Sequence, residues 1–396
     1  MIDIDEETVR WTVEVRRELH RHPDPTGEEE GTQAIIAGYL DELGIPHRPV
    51  AGTGLLATID SGTPGRTIAL RADTDALRIR EAETHLNADY ISQNDGVMHA
   101  CGHDGHMAMV LGAARLLMAS KDDMRGRVVL IFQPHEEDHP GGAMDVIEDG
   151  GLEGVNALLG FHIMGYIESG IIATKPGPLM AHIRTFEVTF IGRSGHHMDP
   201  DQNIDPISMA SRFITTVHRD VAHALDPTHP FVMGFGQILG GTQFNQTPDH
   251  VFLTGTYRTF DMEDAEIIHG VIDRNLRSVV EAFTKDPEDE LPSVRLKVTE
   301  SHPVLENDPD LARWAVNILR EEQLVVDPIP RLNFGAEDFA HYAHRVPALF
   351  MFLGTNNPAK GIVSVNHSNR FDIDEDVLAL GVRSYVALVT DFLRED

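Results

Sequence analysis

The stretch "RTFEVTFIG", Arg184–Gly192, alternates apolar and polar side chains, the period-two pattern of a strand with one buried face. The segments downstream of it decide the fold. "DPISMASRFITTVHRDVAHAL" (205–225) spaces its apolar residues as a helix does, and "PFVMGFGQIL" (230–239) and "HVFLTGTYRTF" (250–260) read as strands. "DAEIIHGVIDRNLRSVVEAF" (264–283) is a second helix, and "SVRLKVTES" (293–301) closes as a strand. The order β-α-β-β-α-β is that of a ferredoxin-like unit, here spanning 182–298.

On either side the rhythm is different. Strand-like runs "GLLATID" (54–60), "TIALRAD" (67–73), "RVVLIF" (127–132) and "VNALLGFHI" (155–163) are interleaved with helical patterns at 32–44 and 106–120. Beyond the unit come a helix at 309–322, the strand "ALFMFLG" (348–354) and a final helix from about 375. Strands alternating with helices predict an α/β fold, a mixed sheet flanked by helices, built from 1–181 and 299–396, with 182–298 inserted. Such sheets carry their sites beyond the strand ends.

Composition narrows the function. In 396 residues, 63 acidic against 32 basic side chains leave a net charge of −31, a field that repels nucleic acid and anionic membranes. A single cysteine rules out an intramolecular disulfide, which suits a reducing compartment. The N-terminal stretch is acidic where a signal peptide would be basic, and no apolar run approaches the ~18 residues of a membrane helix. The expectation is a cytoplasmic protein with neither nucleic acid nor membrane as partner.

The one cysteine lies in "MHACGHDGH", Met98–His106, among three histidines. Other groups able to do chemistry are Glu136 and Glu137 in "FQPHEED", His162 in "GFHI" and His367 in "NHSNRFD", each at or beside the end of a strand-like run. Taken singly, each has a plainer explanation: a lone cysteine is more often a small buried hydrophobe, and paired glutamates in an acidic chain usually face water. Taken together they point to a metal site. Thiolate, imidazole and carboxylate suit zinc, manganese, cobalt or nickel better than calcium or magnesium.

"RRELHRHPDPTGEE", "LRADTDAL", "MHACGHDGHMAM", "FQPHEED", "GFHI", "GRSGHHMDP", "GAEDFA" and "NHSNRFDIDE", in this order from about Arg16 to Leu388, resemble the metal-dependent amidohydrolases related to aminoacylases. That family includes hippurate hydrolases, indole-3-acetyl-amino-acid hydrolases and similar carboxypeptidases. The resemblance implies two divalent metal ions held by Cys101, His103, Glu137, His162 and His367, with Cys101 as the bridge. It implies Glu136 as general base, taking a proton from the attacking water and later giving one to the leaving amine. His196, in "GRSGHH", matches a histidine that steadies the substrate carbonyl across a dimer interface. Asn245 and Arg258 match positions that bind the polar end of the substrate, and Asp73 an orienter of a metal ligand. The larger domain would then be catalytic and the inserted one a lid and dimerisation module.

The chain departs from the family at His135, Asp138 and His139, which could retune Glu136 or recruit a further ion if they are not simply exposed loop residues. Asp201 replaces a common histidine and, close to a substrate, would disfavour a second carboxylate there. The expected activity is hydrolysis of an N-acyl amino acid, or similar small amide, to carboxylate and amine by a homodimer or higher homo-oligomer. Three alternatives remain: a hydrolase of carbamoyl or ureido compounds, a non-catalytic binding relative, and a metal-storing protein.

Overall fold

The computed structural model describes residues 4–329 and 332–394, which divide into two compact units. The first comprises Met1–Leu179, Leu305–Leu332 and Glu337–Asp396; the second comprises Met180–Val304 and Asn333–Ala336. The short piece 333–336 joins the second unit through backbone pairing, the Ala181 N–H donating to the Gly335 carbonyl at 2.9 Å.

The first unit is built on an eight-stranded mixed sheet. Its strands run in the order His47–Val50, Gly54–Asp60, Arg127–Gln133, Thr67–Asp73, Ala157–Glu168, Ala348–Asn356, Ile172–Ala173, Val326–Asp327. The four central strands are parallel to one another, and antiparallel pairs lie toward both edges. Parallel strands are covered on both faces, so they read as near-continuous apolar runs; Thr67–Asp73 is buried at every position.

The helix His103–Ala119 is buried at nearly every residue, because it lies beneath helices as well as on the sheet. Glycine makes that possible. A Cβ on Gly112 would stand 2.6 Å from Thr12 Oγ1 and 2.7 Å from Val382, so the helices Glu6–Arg21 and Asp376–Phe392 approach closer than alanine would permit.

Two boundaries and one whole helix differ from what the sequence pattern predicts. The buried helix starts at His103, not His106, with Gly102 at φ +98° as its left-handed cap. The strand through His162 runs on to Glu168, so His162 lies within a strand rather than at its end. The helix Glu6–Arg21 has no counterpart in the apolar periodicity, because most of its buried residues are polar.

The second unit has the element order strand His182–Ile191, helix Pro206–Ala224, strands Phe231–Gly240 and His250–Thr259, helix Met262–Phe283, strand Ser293–Glu300. Its antiparallel sheet is ordered Phe231–Gly240, His250–Thr259, His182–Ile191, Ser293–Glu300. Val188, Phe190, Phe213, Leu253, Ile268 and Ile272 are among the side chains of a separate core between that sheet and the two helices. A two-stranded ribbon, Gly195–His196 with Gln246–Thr247, stands apart from the sheet. Among the described residues no helix is long and apolar enough to cross a membrane.

A cluster of candidate metal ligands

Cys101, His103, Glu136, Glu137, His162 and His367 all belong to the first unit, and the fold brings their side chains together. Ligand atoms of Cys101, His103 and His162 lie within 4.8 Å of one another, as do those of Cys101, Glu137 and His367, and those of His103, Glu136 and Glu137. Cys101 Sγ is 3.3 Å from His162 Nε2, and His367 Nε2 is 3.2 Å from Glu137 Oε1. Cys101 thus belongs to two of these three groups.

The backbone sets the histidine tautomers. His103 Nδ1 lies 2.8 Å from the Asp75 carbonyl oxygen, and His162 Nδ1 lies 2.9 Å from that of Ile163. A carbonyl only accepts, so both Nδ1 atoms carry a proton, and it is the Nε2 of each ring, with a lone pair once unprotonated, that is left for the cluster. His106 is committed elsewhere: its Nε2 accepts from the Ile163 N–H at 2.8 Å and its Nδ1 donates to Asp73 at 2.6 Å. Asp73 therefore hydrogen-bonds His106, while the hydrogen bond that orients His103 ends on Asp75.

The donors suit divalent cations. His103 Nε2 is buried with no hydrogen-bond partner, which is costly for a polar atom left to itself. The proton affinities point the same way. Burial, then Glu137, Glu136 and Asp73, push the Cys101 thiol well above its ordinary value. Burial, then Glu337, Glu137 and Asp338, push the Glu136 carboxyl up too. Burial disfavours a charged His103, yet Asp73 and Asp75 push it up to about 10. Burial is the larger cause at Cys101 and Glu136, while at His103 the negative charge of its neighbours overcomes burial.

Several supporting residues carry no clear signal in the sequence. Asn366, beside His367, donates from Nδ2 to the carbonyls of Cys101 (3.0 Å) and Ile163 (2.9 Å), and its Oδ1 accepts from the Gly165 N–H at 3.0 Å. Arg71 is fully buried in the sheet and pairs with Asp73 at 2.7 Å, Asp338 at 2.8 Å and Glu337 at 3.0 Å. Arg16 pairs with Asp104 at 2.7 Å and Asp372 at 3.1 Å, holding the turn that presents His103. For Arg71 alone there is a hint, a charged residue inside the apolar strand pattern "TIALRAD".

His196, Asn245 and Arg258 belong to the second unit. The His197 N–H donates to the Asn245 carbonyl at 3.1 Å, so His196 and Asn245 sit on adjoining strands of the ribbon. His196 Nδ1 accepts from the Met198 N–H at 3.1 Å, which leaves its proton on Nε2 as an outward donor. Arg258 donates from Nη1 to the Phe334 carbonyl. His135 is half-buried at φ +61°, and Asp138 and His139 are exposed; among the described residues none of the three joins a candidate metal group.

Thiol, imidazole and carboxylate donors gathered at a mixed sheet, with a buried acid beside them, point to a metal-dependent hydrolase. The chain belongs to the peptidase family M20/M25/M40, whose pattern matches residues 69–391. It is 36% identical over 386 residues to thermostable carboxypeptidase 2 of Saccharolobus solfataricus, covering 96% of this chain and 95% of that one. It is 37% identical over 366 residues to N-acetyl-L-cysteine deacetylase of Bacillus subtilis, covering 92% and 84%. The crystal structure of YXEP of Bacillus subtilis, a dinuclear metal binding peptidase of the same family, superposes with a TM-score of 0.85 at 30% identity, covering 99% and 100%. The protein is accordingly a hydrolase acting on amide bonds.

Proposed function

We propose that the protein hydrolyses the amide bond of an N-acyl amino acid, or a similar small conjugate, to a carboxylate and an amine. In this reading Cys101, His103, Glu137, His162 and His367 would hold two divalent ions. Zinc, manganese, cobalt or nickel there would polarise the scissile carbonyl and supply a nucleophile near neutral pH. Glu136 accepts the proton of the attacking water at its carboxylate and returns one to the departing amine. The His196 Nε2–H, kept as a donor by its bond from Met198, serves the developing oxyanion, a role worth ~3–4 kcal/mol in other enzymes. Asn245 and Arg258 take the polar end of the substrate, and Asp201 disfavours a second carboxylate on it.

The second unit is, in this proposal, a ferredoxin-like lid and dimerisation module of a cytoplasmic homodimer. The strand Phe231–Gly240 supports the dimer. It is the edge of its sheet, carries no charged residue and exposes Val232, Ile238 and Leu239, where edges that stay single are usually guarded by charge.

One observation carries the reading: a lone cysteine, residue 101, reaches His162 and shares a ligand group with Glu137 and His367. The test is a panel of N-acetyl, N-benzoyl and N-carbamoyl amino acids, with metal content measured alongside. Two ions per chain, loss of hydrolysis on chelation and recovery on adding one of the four metals are expected. Full activity in metal-free protein would overturn the site, and preference for the carbamoyl compounds would overturn the substrate. Glu136→Gln should cut kcat by about 10²–10⁴ with metal content intact.

A further inference from the structure

Glu29 is 0% exposed, and three donors take the place of water around its carboxylate. Oε1 accepts from the Gly27 N–H at 2.7 Å and from the His135 N–H at 3.1 Å, and Oε2 accepts from the Thr53 hydroxyl at 2.6 Å. Among the described residues no cation pairs with it. Burying a carboxylate is costly, so what this one holds matters. Glu29 directly precedes the helix Glu30–Glu42, yet its side chain does not cap that helix. It reaches instead to a backbone group 106 positions away.

That group belongs to the residue just before Glu136. His135 has φ +61°, a left-handed conformation that side chains rarely adopt and that persists only where the surroundings hold it. Its N–H goes to Glu29, and its carbonyl accepts from the Gly142 N–H at 2.8 Å. On the other side of Glu136, the Glu137 N–H donates to Asp75 Oδ2 at 3.0 Å, and the same oxygen accepts from the Thr26 hydroxyl at 2.8 Å. The amides flanking Glu136 thus end on two buried carboxylates, one on each side. The turn 24–29 serves both, and it is tied to the sheet by the Ala76 N–H, which donates to the Asp24 carbonyl at 2.8 Å.

We propose that Glu29 is a positioning residue for the hydrolysis: it clamps the strained backbone at His135 from which Glu136 reaches the attacking water, while Asp75 clamps the other side. This rests on the reading of Glu136 as general base. A base displaced by a fraction of a bond length still binds nothing differently, but it transfers protons poorly, so the loss falls on turnover. Metal binding is spared, because Asp75 still holds the Glu137 amide.

Three variants of the metal-loaded enzyme test this on whichever N-acyl amino acid the unaltered protein hydrolyses. Glu29→Ala should lower kcat about 10–100-fold, with KM and metal content little changed. Glu29→Gln keeps the length and an oxygen for the two N–H groups, and its amide can donate to Thr53, whose hydroxyl turns to accept; kcat should stay near that of the unaltered enzyme. Glu29→Asp keeps the charge but is one methylene short, and should lose about tenfold in kcat. If the alanine variant does not fold, the order of the other two decides. An aspartate variant more active than the glutamine variant, unchanged kcat in all three, or losses matched by loss of metal would overturn the clamp. Full activity in Glu136→Gln would instead remove the underlying reading, and the clamp's purpose with it.

Discussion

At the scale of single residues, the cluster is organised by how each group is held from behind. His103 and His162 each spend Nδ1 on a backbone carbonyl, so their Nε2 atoms need no further side chain to fix the tautomer. Cys101 has no such anchor on its sulfur, and its place depends on the loop that Asn366 ties down. Cys101→Ser is expected to lower metal content per chain while leaving the unfolding midpoint of the metal-free protein nearly unchanged; full metal occupancy in the variant would contradict the bridge. His20 allows a test by pH. Burial and Arg16 oppose its charge, but Asp104 at 2.8 Å and Glu81 at 3.1 Å outweigh them, and its pKa lies above the ordinary 6.5. A raised folded-state pKa contributes stability that is complete below about 6.5 and fades as pH rises through the folded value. The stability gap between the unaltered protein and His20→Asn, read from urea unfolding, should therefore narrow from pH 6 toward pH 9; a gap that widened would show the imidazole to be neutral.

Elements show what could and could not be read from the chain. The parallel strands were legible because burial on both faces forces continuous apolar runs, and the second unit because its strands and helices alternate cleanly. The helix Glu6–Arg21 was not, because its buried stripe consists of Thr8, Thr12, Val15, Arg16, Leu19 and His20, mostly polar groups satisfied by partners far along the chain. Periodicity sees hydrophobicity, not satisfied polarity. The same blindness hid Asn366 and left Arg71 only as a charge out of place in an apolar strand, whereas the candidate ligands could be named from "CGH", "HEED" and "NHS". Gly112 fixes how closely three helices meet. Gly112→Val should destabilise the protein by about 1–3 kcal/mol, measured by chemical unfolding, because Thr12 and Val382, both buried, already stand closer than a Cβ allows.

For the whole molecule, net charge governs how stability answers to salt. A surplus of 31 negative charges repels itself, and the repulsion is felt more in the compact state than in the extended chain. Raising potassium chloride from 0.1 to 1 M shortens the screening length from about 10 to about 3 Å. Tm should then rise by a few degrees, on the order expected for one or two kcal/mol in a chain this size. A midpoint that fell with salt would mean that surface ion pairs contribute more than the net repulsion costs.

Arg16 has one more implication, for how the polypeptide is made. Its side chain is buried and charged, and one of its carboxylate partners, Asp372, lies 356 positions downstream. His367, the last of the gathered imidazoles, emerges almost as late. During synthesis the first helix therefore carries a guanidinium matched only by Asp104, and the thiol at 101 waits for its last neighbour, until nearly the entire length has left the ribosome. A nascent chain stalled short of that point would hold a half-built cage, open to any stray soft metal or oxidant.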